Sequence, residues 1–350
     1  MTARIWVVAL LVLAGCPGSG PGDDPAPDVR LLDGFGFRWQ ERPHRINKIG
    51  AGLDGAAGVL TLEGGSWADG QEASDAATHS LHHTAFSSDQ VVIHHGETPL
   101  LTLAGSPSQA ATAETQVSVP LAEAGLAACS QFAVVLRGFD LDTDLTHEDG
   151  YTTRGIGARV KDASAAEGVL TFTARLRIEA GAVPDRIQDL ASYGATGRVR
   201  YTVIGLLSGA VTAKSHGYTL SYPAGVDPSQ EHATAGQQTV VIQGTPGLAA
   251  GAVGLTGFDF RLNPDTSLYP GRYMREISVR DYDFAYASGT GALTFKCDGY
   301  FSNSGPVTWA LENEFSASFV LIQVASGTVV HQSHEGTQTA VQTWVGLDPQ

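Results

Sequence analysis

Lysine is almost missing from this 350-residue chain, with only Lys48, Lys161, Lys214 and Lys296. Methionine occurs twice, cysteine three times, and charged residues make up 16% of the whole. The 21 basic residues are spread thinly against 36 acidic ones, for a net charge of −15, so no basic footprint for nucleic acid exists. Hydrophobic residues at 43% are enough to fill cores, which excludes wholesale disorder. The longest apolar run, Ile5–Leu13, is too short to cross a bilayer, which takes about 20 helical residues. What the chain does have is glycine, 42 of them, beside many β-branched residues. That balance favours strands and turns over helices.

The amino terminus reads as an export signal. Arg4 supplies the positive charge, Ile5–Leu13 the apolar stretch, and Leu13-Ala14-Gly15-Cys16 closes it. That tetrapeptide resembles the lipobox of bacterial lipoproteins. The resemblance implies removal of residues 1–15 and acylation of Cys16, so that the membrane is a partner through lipid. It also implies residence at the outer membrane or cell surface, because Pro17 stands where an inner-membrane retention aspartate would be. An ordinary signal peptide that happens to contain Cys16 is the alternative. Residues 16–28 (CPGSGPGDDPAPD) then form a tether, since Pro, Gly and Asp cannot bury enough apolar area to fold.

Beyond the tether the chain repeats itself. Gly34-Phe35-Gly36-Phe37, Gly138-Phe139-Asp140-Leu141 and Gly257-Phe258-Asp259-Phe260 open three similar stretches. A basic residue near isoleucine follows in each: Arg45-Ile46, Arg154 with Ile156, and Arg275 with Ile277. After 12, 12 and 14 residues comes a Gly-x-Leu-Thr-apolar segment, at Gly58–Leu62, Gly168–Phe172 and Gly291–Phe295. Units of roughly 95–120 residues match whole β-sandwiches in size and exceed any solenoid repeat. Period-two alternation, as in Arg175-Leu176-Arg177-Ile178-Glu179, puts one face on a core and the other in solvent. Only Pro184–Tyr193 and Leu121–Cys129 offer modest helical patterns. The expectation is an all-β protein of three tandem antiparallel β-sandwiches, jelly-roll or lectin-like, at 29–122, 123–245 and 246–350.

The order of a Gly-Phe-x-apolar strand, a basic-plus-Ile strand and a late apolar strand resembles the β-sandwich of the H-type lectins. The resemblance implies glycan binding, although the repeats carry no diagnostic sugar-binding motif.

Four groups of residues could carry chemistry. His79, His82, His83, His94 and His95 lie close together, and a hairpin at Ser87-Ser88-Asp89 would set His82 opposite His94. Cross-strand imidazoles at that spacing could share zinc or copper; otherwise they form a solvated edge. Asp140, Asp142 and Asp144 alternate before His147-Glu148-Asp149-Gly150, which supplies hard oxygen ligands for calcium or else an acidic loop. Asp281-Tyr282-Asp283-Phe284-Ala285-Tyr286 alternates rings and carboxylates. Exposed, it would suit sugar binding by stacking and hydroxyl acceptance; buried, its rings would fill a core. Cys129 and Cys297 either pair as a disulfide, as export permits, or sit as buried thiols.

Enzyme motifs fit poorly. Gly50–Gly55 spells GxGxxG, but a strand pattern follows where a dinucleotide fold needs a helix. Gly64-Gly65-Ser66-Trp67-Ala68 lacks the last glycine of a nucleophile elbow, and His331-x-x-His334-Glu335 places its glutamate outside the histidine pair. The expected function is a lipid-anchored envelope binding or adhesion protein for glycan or protein ligands. An anchored polysaccharide hydrolase, with carboxylates gathered by the fold, and a purely structural envelope component are the alternatives.

Overall fold

The computed structural model describes residues 28–339, apart from 40–43, 55–56, 69–70, 74–75, 107–108, 144–150, 183–192, 222–234, 263–272 and 305–311. Every regular element among the described residues is a strand. The first third supplies β1 (Asp28–Trp39), β2 (His44–Asp54), β3 (Ala57–Ala68), β4 (Gln71–Ala73), β5 (Ala76–Ser87), β6 (Val91–Glu97), β7 (Leu101–Gly105) and β8 (Ala111–Pro120). The second supplies β9 (Gln131–Thr143), β10 (Tyr151–Ala166), β11 (Val169–Ala182), β12 (Tyr193–Leu206), β13 (Ala210–Ser221) and β14 (Ala235–Gln243). The last supplies β15 (Ala250–Leu262), β16 (Tyr273–Ala287), β17 (Ala292–Ser304), β18 (Glu312–Val324) and β19 (Thr328–Thr339). Of the two helical patterns, Leu121–Cys129 is a run of turns, while 184–192 lies outside the described residues and Tyr193 opens β12.

All pairings are antiparallel, and they interlace the thirds of the chain. Each Gly-Phe strand pairs with the basic-plus-Ile strand of another third: β1 with β16, β9 with β2, β15 with β10. Each also pairs with a late strand of its own third: β5, β12 and β18 respectively. Those late strands carry an outer neighbour from a different third again: β19, β6 and β13. The hairpins β2–β3, β10–β11 and β16–β17 complete the pattern, with β8 added to β11 and β14 to β17. Three runs result: β19-β5-β1-β16-β17-β14, β6-β12-β9-β2-β3-β4, and β13-β18-β15-β10-β11-β8. A single pair, Met274 with His44, joins the first two.

Three self-contained sandwiches are therefore not what the described strands build. Sheet pairing crosses both expected boundaries, 122/123 and 245/246. The physical reason lies in the Gly-Phe strands, which are buried along their length and need a partner on both edges. One third offers β5, β12 or β18; the other edge is filled from a neighbouring third.

Phe35, Phe139 and Phe258 meet at the centre, with ring centroids 5.3, 4.8 and 5.0 Å apart. All three rings are buried, and tilted or edge-on pairs at this spacing are favourable beyond their burial. The glycine before each phenylalanine lets the next strand approach. A Cβ on Gly34 would run into the Val279 carbonyl, and one on Gly138 would lie 2.6 Å from the Ala51 oxygen and 2.7 Å from the Gly52 Cα. One residue further back, each Gly-Phe strand carries an extra residue against its partner: Asp33, Arg137 and Thr256. This shared bulge re-aims the strand at the same point in all three thirds. A smaller apolar cluster gathers Val29, Leu31, Ala133, Val135, Ala250 and Ala252 from their first halves.

Candidate functional site

The hairpin β16–β17 carries a chemically varied outward face. Register places Arg280 opposite Asp298 and Tyr282 opposite Lys296, with Thr239 of β14 beyond Lys296. The Tyr282 hydroxyl donates to Asp298 Oδ2 at 3.0 Å. Lys296 Nζ stands 5.7 Å from the Tyr282 ring centroid and pairs with Asp283 at 2.8 Å. Burial pushes the Asp298 carboxyl up, against the Tyr282 hydrogen bond and the charges of Arg280 and Lys296. A half-exposed ring bordered by two cations and two carboxylates offers stacking, donors and acceptors within one surface.

The alternation read from sequence does not persist through this strand. Asp283 takes a left-handed conformation (φ 55°) at a bulge between Tyr282 and Ala285, a state that aspartate tolerates better than most residues. The bulge separates the five expected ligand contacts. Tyr282 and exposed Asp283 belong to the outward face. Phe284 turns to the core, stacking on Phe295 (5.4 Å) and on the His331 imidazole (3.5 Å, 6° between planes). Tyr286 donates to the Leu248 carbonyl at 3.0 Å and accepts from Gln323 Nε2 at 2.8 Å. Asp281 is 3% exposed.

Behind that face runs a polar row that crosses five strands of one sheet. His331 of β19 stands opposite Thr84 of β5, and its Nδ1 lies 2.6 Å from the Thr84 hydroxyl oxygen. Thr84 in turn donates to Asp33 Oδ2 of β1. Extending the β1–β16 register by two residues sets Asp33 opposite Asp281, which is opposite Cys297 of β17. Asp33 Oδ1 and both Asp281 oxygens lack a conventional hydrogen-bond donor among the described residues. Burial pushes the Asp33 carboxyl up, opposed by the hydrogen bonds from His331 and Thr84. Burial pushes Asp281 well above the ordinary carboxylate range; the Asp33 and Asp298 charges add to it, while the Cys297 thiol opposes it. The sequence motifs did not point to Asp33 or Thr84, and His331 stood out only in a His-x-x-His-Glu run that does not fit a zinc protease. The available signal was the residue before each Gly-Phe, where an aspartate, an arginine and a threonine differ.

The expected histidine pair is not formed. β5 and β6 belong to different runs, so His82 faces Gly34 and Ser333, whereas His94 faces Val203. His83 is buried opposite Leu32, and His95 Nδ1 lies 2.9 Å from the Thr202 hydroxyl. The short Ser88-Asp89 connection leads from one run of the sheet to another instead of closing a hairpin, since β5 pairs with β19 and β6 with β12. Asp140 accepts from the Arg198 amide at 3.2 Å, and exposed Asp142 lies 3.7 Å from Lys48. Asp144 lies outside the described residues, as do Cys16 and tether residues 17–27; Asp28, expected in the tether, opens β1 opposite Ser87. Among the described residues, no group of three His, Cys, Asp or Glu side chains has the arrangement of a zinc or calcium site. Cys129 and Cys297 are both free thiols, so of the two alternatives the structure has the unpaired one. Cys129 lies in the turns after β8 and packs against Gly205 of β12, whereas Cys297 lies in β17.

No family model, curated protein or solved structure matches this chain.

Proposed function

We propose that this chain is a lipid-anchored binding or adhesion protein of the bacterial cell envelope, which uses the outward face of β16–β17 to hold a glycan. The lipobox-like Leu13-Ala14-Gly15-Cys16 supplies the anchor at Cys16, and 17–27 the standoff before β1. The observation that carries the ligand reading is Tyr282, a half-exposed ring ringed by Lys296, Asp283, Asp298 and Arg280. A sugar presents an apolar C–H face to such a ring and hydroxyls to the flanking charges. Counted three residues on from the partners of the three phenylalanines, Val279, Ala51 and Ala158, the other two thirds place Asp54 and Lys161, so the ring is particular to the last third. The three repeats on this reading are copies of one ancestral unit, whose scaffold they share and whose outer faces have diverged.

A glycan array probed with the purified chain tests this. Saturable binding without release of reducing ends is expected, and Tyr282→Ala lowers affinity by at least tenfold. Accumulating reducing ends would favour the hydrolase reading instead. Binding indifferent to Tyr282 would remove the site from this face.

A further inference from the structure

The first and last thirds of the chain meet along β1–β16, where Phe35–Arg38 pair with Glu276–Val279. This seam brings together the two ends of the repeat series, and Asp33 and Asp281 face each other at its end. The corresponding positions of the other two seams hold Arg137 against Leu53 and Thr256 against Val160. The scaffold thus closes twice with an apolar partner in that place. Buried carboxylates are costly, so a pair of them at one seam alone is not required by the fold. The flanking positions diverge in the same way. Thr84 and His331 have a counterpart in Thr202 and His95, but the third seam has Val320 and Ala213.

We propose that Asp33 and Asp281 form a proton-operated clasp on this seam, closed while the pair holds a proton and loosened when both carboxylates ionise. The partners divide the roles. Asp33 accepts from Thr84 and lies 3.8 Å from His331 Nδ1, so it carries the negative charge more readily. Asp281 faces Asp33 and Cys297, and the negative charge of Asp298 on the outward face also acts on it; none of these is cationic, so it keeps the proton. Other titratable groups nearby are His82 and His83 of β5, beside the bulge, and Arg280, which adjoins Asp281 and acts on Asp298. Like charges at adjacent cross-strand positions repel and destabilise the pairing. Because the folded state holds the Asp281 proton more tightly than the unfolded chain, the pair's contribution to stability is greatest in acid and declines as pH rises from about 4. His331 links the clasp to the hairpin, since Phe284 stacks on its ring.

Amide hydrogen exchange of the full-length protein, corrected for intrinsic rates, tests the clasp between about pH 5 and pH 8. Exchange at Phe35–Arg38 and Ile277–Val279 is expected to rise on the order of tenfold across that range. The β2–β9 and β10–β15 seams carry Asp140 and Asp259, carboxyls that burial also raises but that arginines oppose, so exchange there is expected to change less and serves as the internal comparison. Asp281→Asn, which fixes the neutral form, flattens the rise; Asp281→Leu, the residue type at Leu53, does the same if the amide variant folds poorly. Equal pH dependence at all three seams, or an unchanged rise in either variant, overturns the proposal. The readout needs no glycan, so its failure is separate from failure of the binding reading.

Discussion

Truncating any one ring of the central triad is expected to lower a single, shared unfolding transition. Phe139 is buried and contacts the Phe35 and Phe258 rings at 5.3 and 5.0 Å. Phe→Ala in such a core costs about 3–5 kcal/mol, including the cavity and the lost ring pairs. Unfolding entropy is about 2 cal/mol/K per residue, so roughly 300 folded residues give about 0.6 kcal/mol/K. A loss of ~4 kcal/mol then lowers Tm by roughly 6 °C. Phe35→Ala and Phe258→Ala are expected to produce the same shift, because all three rings meet at one point. Calorimetry distinguishes this from a string of independent sandwiches. For a separate unit of about 100 residues the same loss would move one transition by roughly 20 °C and leave the others in place. Three resolvable transitions, of which each variant shifts one, would refute the interlaced architecture.

The ion-pair cluster on the β13–β8 sheet gives a second test. Arg177, 9% exposed along its side chain, donates to Asp259 Oδ1 at 2.7 Å and to the Phe260 carbonyl at 3.3 Å, and pairs with Glu179. Arg177→Met leaves two acids without their main cation and costs about 3 kcal/mol near neutral pH. Burial already pushes the Asp259 carboxyl up against the pull of Arg177, so without that arginine it takes a proton sooner. The loss should therefore shrink towards pH 4 and grow above it; urea unfolding that showed equal losses at both ends would refute this. Thiol labelling checks the cysteines. Without reductant, half-buried Cys129 should react slowly in the native protein and Cys297 only after unfolding, since burial raises both thiols. A denatured chain with no reactive thiol would restore the disulfide.

Much of the scaffold was legible in the order of residues. Gly-Phe openings, Gly-x-Leu-Thr segments and alternation such as Leu176 and Ile178 inward all correspond to strands of the expected kind. Gly168 and Gly291 take positive φ at the β10–β11 and β16–β17 turns, where glycine meets no steric penalty. The candidate site was legible only in part. Tyr282 was named, but its neighbours Lys296 and Asp298 come from the opposite strand of the hairpin. Arg177 also escaped the alternation, since Asp259 of another third draws it into a buried pair.

Strand identity and the inward or outward bias of side chains depend on near neighbours, so composition and periodicity determined them. Which strand lies beside which depends on backbone hydrogen bonds that are alike at every residue, and pattern does not choose among equivalent edges. Only the folded chain decided that β1 takes β16, that His82 and His94 part company, and that Asp33 comes to face Asp281.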